Sequence, residues 1–109
     1  MRKNATITPV DFSVAYLKAH FTYNAHTGEI REQGTGARIG SPNSQDGGTR
    51  IQHNGKDMSG ARVAWILATG KNIPVGFAIT LRERTPGHYG NRMNNLQPVD
   101  VVANPNIFE

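Results

Sequence analysis

Apolar residues recur at steps of four, three and four in Val10, Val14, Leu17 and Phe21, the spacing that lines up one face of a helix. Asp11, Ser13 and Lys18 fall on the opposite face. Thr8-Pro9-Val10-Asp11 supplies a start signal: a hydroxyl cap, a proline at the first helical position where its missing N–H does no harm, and a carboxylate three residues past the cap. A helix is therefore predicted from Pro9 to Phe21, behind a polar, basic lead-in over residues 1–8. The pattern then changes. Thr22-Tyr23 and Glu29-Ile30-Arg31 read as two short strands around a turn in which Asn24 and Gly28 take positive φ angles. Residues 34–48 hold five glycines and only Ala37 and Ile39 as aliphatics, which predicts a short strand at Ala37–Ile39 and then a loop. Thr49–His53 alternates like a half-exposed strand, and Asn54-Gly55 is a two-residue hairpin signal that returns the chain along Lys56-Asp57-Met58.

Ala61–Thr69 is mostly apolar and ends at Gly70, the pattern of a buried helix with a left-handed cap, and Trp65 is expected in the core. Asn72–Gly76 turns the chain into a strand at Phe77–Leu81, followed by a charged, glycine-containing loop from Arg82 to Gly90. Asn91–Leu96 looks like a short helix capped by Asn91 and anchored by Leu96. The tail from Val99 to Glu109 adds an edge strand or runs irregularly. These elements predict an α+β fold, a small single domain with an N-terminal helix and short antiparallel hairpins. Residues 9–98 form that domain, between the lead-in and the tail at 99–109.

A chain of 109 residues has room for one core of ordinary size, and 37% hydrophobic residues make it a thin one. Twelve glycines and six prolines favour many turns over a helical bundle. There is no run of eighteen apolar residues, and Met1-Arg2-Lys3-Asn4 has no apolar stretch behind it, so a membrane span and a secretory signal are not expected and a cytoplasmic location is. The absence of cysteine removes disulfides, thiolate zinc sites and cysteine nucleophiles. His20, His26 and His53 lack the spacing of a zinc site. Twelve Lys and Arg against eight Asp and Glu give a formal charge of +4, and the pI is near 9.9. That balance suits a partner bearing phosphates or acidic groups.

Three stretches carry more specific information. Tyr16-Leu17-Lys18 leads into Phe21-Thr22-Tyr23-Asn24 and Thr27-Gly28-Glu29-Ile30; Arg62-Val63-Ala64-Trp65 is followed by Thr69-Gly70 and Pro74; and Asn91-Arg92-Met93-Asn94-Asn95-Leu96 closes the series. In this order, over residues 14–98, they resemble the small phage-type HNH endonucleases. The resemblance implies a metal-binding ββα unit in which a carboxylate and an amide or imidazole hold a divalent ion on a scissile phosphate. An adjoining histidine activates water, and an asparagine orients that histidine. Counted from Pro74, the Asp-His pair of that family falls on Ile79-Thr80, and the histidine before Arg-Leu-Ala-Trp falls on Ala61. Ile79 offers no oxygen to a hard cation, and the Thr80 hydroxyl is too weak a base near neutral pH. By position, Asn91 would orient the missing base and Asn95 would be the remaining ligand. The resemblance thus implies a degenerate HNH-like ββα unit, with no metal and no cofactor expected.

Taken alone, Asn91 and Asn95 read as a helix cap and a solvent-facing amide, and His88 as a loop histidine beside Tyr89. Arg82, Arg84 and Arg92, with Arg62 and Lys71 bracketing the preceding helix, are either a solvated charged surface pairing with Glu83 and Asp100 or guanidinium forks for phosphate. Gly87 and Gly90 permit close approach of a partner, or simply a turn. Three functions follow. The first is a DNA-binding protein that grips phosphates without cleaving, through Arg62, Lys71, Arg82, Arg84, His88, Asn91, Arg92 and Asn95. The second is a phage-encoded inhibitor of a host nuclease or defence complex, of the anti-CRISPR or anti-restriction type, whose partner is a host nucleic-acid-binding protein. The third is a metal-dependent nicking enzyme with a rearranged centre that uses Glu83 or His88.

Overall fold

Ser13 opens the first helix. A computed structural model describes residues 12–43 and 47–103, and in it α1 spans Val14–His20, with Ser13 Oγ accepting the Tyr16 N–H at 3.1 Å. Phe12 and Ser13 are not helical and Ser13 is the cap of α1; the predicted Thr8–Asp11 start lies outside the described residues. Leu17 is buried as the apolar spacing requires, and Phe21 leaves the helix in extended conformation as the first residue of β1 (Phe21–Tyr23). β1, β2 (Ile30–Glu32) and β3 (Arg38–Ile39) form an antiparallel sheet in that order. Gly28 takes a φ of 80° in the β1–β2 turn. Asn24 does not adopt positive φ; its Oδ1 instead accepts the N–H groups of His26 at 2.9 Å and Thr27 at 3.1 Å. A short polar side chain can close a turn in this way without a left-handed backbone.

A second antiparallel sheet contains β4 (Ser41–Pro42), β5 (Thr49–His53) and β6 (Lys56–Ser59). The β5–β6 turn is the predicted one, with Asn54 at φ 50° and Gly55 at φ 77°, the pair of positive angles that matches the twist of flanking strands. β4 was not predicted. It is two residues long and carries a proline on an edge, so it has no alternation to read. α2 (Gly60–Thr69) follows directly, capped by Ser59 and ended by Gly70 at φ 72°.

α2 lies at the centre of the molecule. Gly60, Ala61, Val63, Ala64 and Ile66 are all buried, which takes in most of its circumference. It meets α1, β1, β5, β6 and β7 (Phe77–Leu81). Trp65 is half-buried and borders the core; it is not enclosed in it. β7 pairs antiparallel with β8 (Leu96–Asp100), so the ladder extends two residues into the predicted tail, and Val99 is buried opposite Ala78.

The predicted Asn91–Leu96 helix is two 3₁₀ turns, His88–Asn91 and Met93–Asn95, and neither has a side-chain cap. Leu96 is already extended as the first residue of β8, paired with Leu81, and Pro98 favours the same conformation in Gln97 before it. The segment expected to close as ββα therefore runs strand, two 3₁₀ turns, strand. No helix among the described residues is long and apolar enough to cross a membrane.

Candidate functional site

A cleft of about 470 Å³ opens between the start of α2 and the β7–β8 ladder. β7 lines it over residues 78–81 and β8 through Gln97, which is registered on Thr80; these two share one face of the ladder, and Ile79, on the other face, is a core residue. The Thr80 hydroxyl donates to the Gln97 carbonyl at 3.3 Å. Arg62, on the first turn of α2, and Arg84, on the loop after β7, bring two guanidinium-bearing side chains to this cleft. Burial pulls the Arg62 pKa below the usual arginine range, since a partly dehydrated cation is less stable than a solvated one. Arg84 is exposed. Gly47, at φ 79°, packs so closely on it that a Cβ there would lie 2.8 Å from the Arg84 Cα.

The backbone behind Arg84 is held from inside. Asn95 is 3% exposed and spends its whole amide on this loop: Oδ1 accepts the Glu83 N–H at 2.9 Å, and Nδ2 donates to the carbonyls of Glu83 at 2.9 Å and Gly90 at 2.8 Å. The Arg82 N–H donates to the Asn95 carbonyl at 2.9 Å. Asn91 is fully buried and donates from Nδ2 to Thr49 Oγ1 at 2.9 Å, while its carbonyl accepts the Tyr23 hydroxyl at 2.6 Å. Burial pushes the Tyr23 pKa up to about 12. Asn91 Oδ1 has no hydrogen-bond partner and faces Gly48, where a Cβ would stand 2.4 Å away.

Both asparagines therefore depart from their sequence readings. Asn95 is not solvent-facing, because buried backbone groups of the loop need partners and its amide supplies them, and Asn91 is not a helix cap but meets the Thr49 hydroxyl in the interior. Nor do the two asparagines face Ile79-Thr80. With Leu81 registered on Leu96, Ile79 pairs with Pro98 and Thr80 with Gln97, and it is Arg82-Glu83 that lie against Asn95. Only the Glu83 backbone is engaged there; its carboxylate is 76% exposed and 4.0 Å from Arg92. No family model, curated protein or solved structure matches the chain.

Of the predicted site residues, the structure brings Arg62 and Arg84 together at one cleft. Arg82 is exposed at the start of the loop. Arg92 is folded back, its side chain 15% exposed and its guanidinium 3.6 Å from the Tyr89 ring centroid. Lys71 lies just past the far end of α2. His88 belongs to neither group. Its Nδ1 is buried without a partner, and the charges acting on it are Arg38, Glu29 and Arg31 of the first sheet. Its pKa is held below the ordinary value first by burial and then by Arg38. Gly90 serves internal packing, since a Cβ there would come within 2.1 Å of the Thr85 carbonyl. Among the described residues no group of three or more His, Cys, Asp or Glu is arranged to hold a metal. Sequence reading missed Gln97 and Ser59, which also line the cleft. Their membership depends on the β7–β8 register and on the β6–α2 junction, and nothing local marks it.

Proposed function

We propose that the protein binds nucleic-acid phosphates through the Arg62–Arg84 cleft and does not cleave them. The observation that carries this reading is the meeting of Arg62 and Arg84, from two elements distant in sequence, at one concave site on a chain of net charge +4. Guanidinium groups bind phosphate through paired N–H donors, and a partly dehydrated one gains most from an anion. No ion pair among the described residues involves Arg84. The resemblance to phage-type HNH endonucleases supports the same partner. The non-cleaving part of the reading is supported by the residues that do lie against Asn95: only the Glu83 backbone is engaged there, its carboxylate is 76% exposed, and His88 lies among the charges of the first sheet.

Fluorescence anisotropy with labelled DNA at two salt concentrations tests the proposal. Two phosphate contacts give a slope of about −1.8 in log K against log salt, so affinity should fall roughly ten-fold between about 50 and 200 mM. Arg84→Ala should flatten that slope by about one contact. Supercoiled plasmid incubated with Mg²⁺ or Mn²⁺ should stay supercoiled. Absence of binding at low salt, or a slope untouched by Arg84→Ala, would refute phosphate recognition here, and open circles would refute the non-cleaving reading.

A further inference from the structure

The outer edge of β7 carries a second kind of recognition chemistry. Just past the two ends of the ladder, the Arg82 N–H donates to the Asn95 carbonyl at 2.9 Å and the Val101 N–H to the Gly76 carbonyl at 2.8 Å. In an antiparallel pair, residues that exchange backbone hydrogen bonds with the partner strand alternate with residues whose N–H and C=O point away from it. Gly76 and Arg82 fix that alternation, so Ala78 and Thr80 turn their backbone groups to β8, while Phe77, Ile79 and Leu81 turn theirs outward. Pro98, which has no N–H to give, sits opposite Ile79 as this alternation requires. The outward Phe77 N–H is taken by the Pro74 carbonyl at 3.1 Å. The N–H and C=O groups of Ile79 and Leu81 have no hydrogen-bond partner, and no third strand covers this edge, among the described residues. The edge borders the cleft. Consecutive strand residues send their side chains to opposite faces, so a cavity that touches all of residues 78–81 runs along the side of the strand. Exposed edges are commonly blocked by proline or charge. The β8 edge has Pro98, whereas β7 reads Phe-Ala-Ile-Thr-Leu and has neither.

We propose that the β7 edge takes an extended acidic peptide as a further strand, so that the cleft also binds protein. Donor and acceptor alternate along the edge, which is the pattern of another peptide main chain. A phosphodiester has acceptors and no N–H, so the outward carbonyls of Ile79 and Leu81 give it nothing. In antiparallel pairing two alternate peptide residues exchange both bonds, one with Ile79 and one with Leu81, over a stretch of about 13 Å. Main-chain bonds of this kind supply affinity and the side chains supply specificity. Here the specificity is for carboxylates, because Arg62 and Arg84 line the same cleft on a chain of net charge +4. That charge also argues against a second copy of this chain, which would bring two such arginine pairs together. The edge is preformed: β7 is held to β8 over five residue pairs, and Asn95 ties the loop that carries Arg84. The inference goes beyond the phosphate reading and shares only the two arginines with it, so peptide and DNA should exclude one another.

Two measurements on the wild-type protein test this. In the first, anisotropy compares a labelled hexapeptide of alternating Glu and Val, capped at both ends, with the same peptide N-methylated at its two central residues. Methylation keeps the charge and removes donors on both edges of the peptide, so the unmethylated form should bind roughly ten-fold tighter. It should also displace labelled DNA. Equal affinities, or no binding up to about 10 mM peptide, would overturn the added strand, and binding without displacement would overturn the shared cleft. In the second, amide hydrogen exchange is followed by NMR. On saturation with the unmethylated peptide, the Ile79 and Leu81 amides should exchange roughly ten-fold more slowly or less, while Phe77, already bonded to Pro74, should not change. Unchanged exchange at Ile79 and Leu81 would overturn the assignment. The two functions fail separately. DNA binding that depends on Arg84, with no peptide effect, leaves phosphate recognition standing alone; protection of Ile79 and Leu81 by peptide, with no DNA binding, leaves the strand edge standing alone.

Discussion

Asn95→Ala removes three hydrogen bonds at a residue 3% exposed. The two bonds to Glu83 are worth about 1 kcal/mol each, and the Gly90 carbonyl, whose bond to Asn95 is buried, loses its partner at about 1–3 kcal/mol. The sum is about 3–5 kcal/mol, a large share of the roughly 5–15 kcal/mol that holds a domain of this kind together. At about 4 °C per kcal/mol the midpoint of thermal unfolding should drop by about 12 °C or more. Circular dichroism melts measure it directly. Asn94→Ala is the control: the neighbouring residue is exposed, its Oδ1 meets only Arg92 Nε at 3.4 Å, and its loss should stay within about 0.5 kcal/mol.

Asn95→Asp sharpens the test. One oxygen of the new carboxylate keeps the Glu83 N–H, while the other replaces Nδ2 and points at two carbonyl oxygens. Repulsion favours the protonated acid, so the folded-state pKa rises above the unfolded one. The variant should therefore be less stable than Asn95→Ala at neutral pH and recover as pH falls through that raised value, where the folded state binds the extra proton. If Asn95→Ala melts within about 3 °C of the wild type, or Asn95→Asp shows no recovery in acid, the amide does not clamp the loop and the reasoning fails.

Three further predictions concern the surroundings. Gly60→Ala places a Cβ 2.0 Å from Thr49 Oγ1 and 2.9 Å from Asn91 Nδ2, so it should cost about 1–3 kcal/mol in urea unfolding despite putting a better helix former into α2. Leu17→Ala empties a site of 0% exposure and should cost about 2–5 kcal/mol by the same measurement. His88 is held below its ordinary pKa of 6.5, so on acidification the unfolded chain takes up the proton first. Its contribution to stability is complete above that value and is lost as pH falls from 6.5 toward the lower folded-state value. His88→Gln should flatten the pH dependence of stability in that window, and an unchanged profile would show that His88 is equally free to protonate in both states.

Local signals in the sequence were reliable where a single conformation satisfies them. Asn54-Gly55 can take the two positive φ angles its hairpin needs, and Gly70 can end α2 in the left-handed region, so both were legible. The mixed α+β architecture followed from them. Asn91 and Asn95 were misjudged because an asparagine looks the same whether it caps a helix, faces water or satisfies buried backbone. Only the arrival of Thr49 and Gly90, from near and far along the chain, decides among these. The register of β7 on β8 was equally hidden. Counting forward from Pro74 places Ile79-Thr80 opposite the asparagines, whereas the Leu81–Leu96 pairing places Arg82-Glu83 there. The arginines were legible as a group by charge, but only the fold separates Arg62 and Arg84 at the cleft from Arg92, stacked on Tyr89, and from Lys71, beyond the far end of α2.

The clamp and the cleft are one system, and this makes a last prediction possible. Arg84 stands on a loop whose inner side is tied down at Glu83 and Gly90 by Asn95, and at Thr85 by the Gly48 N–H at 2.8 Å. Asn95 itself is not among the residues lining the cleft. If Arg84 grips a phosphate, any loosening of this loop must be reversed on binding, at about 1–2 kcal/mol for each residue re-ordered. Releasing only one or two residues would then weaken DNA binding by roughly 2 kcal/mol, about thirty-fold. Asn95→Ala, measured at a temperature where it remains folded, should show that loss with the salt slope of the wild type, because no phosphate contact has been removed. Arg84→Ala should instead lower the slope. An Asn95→Ala protein that binds as tightly as the wild type would mean that the loop is held without the amide, or that Arg84 is not where the phosphate goes; the slope of Arg84→Ala tells those two apart.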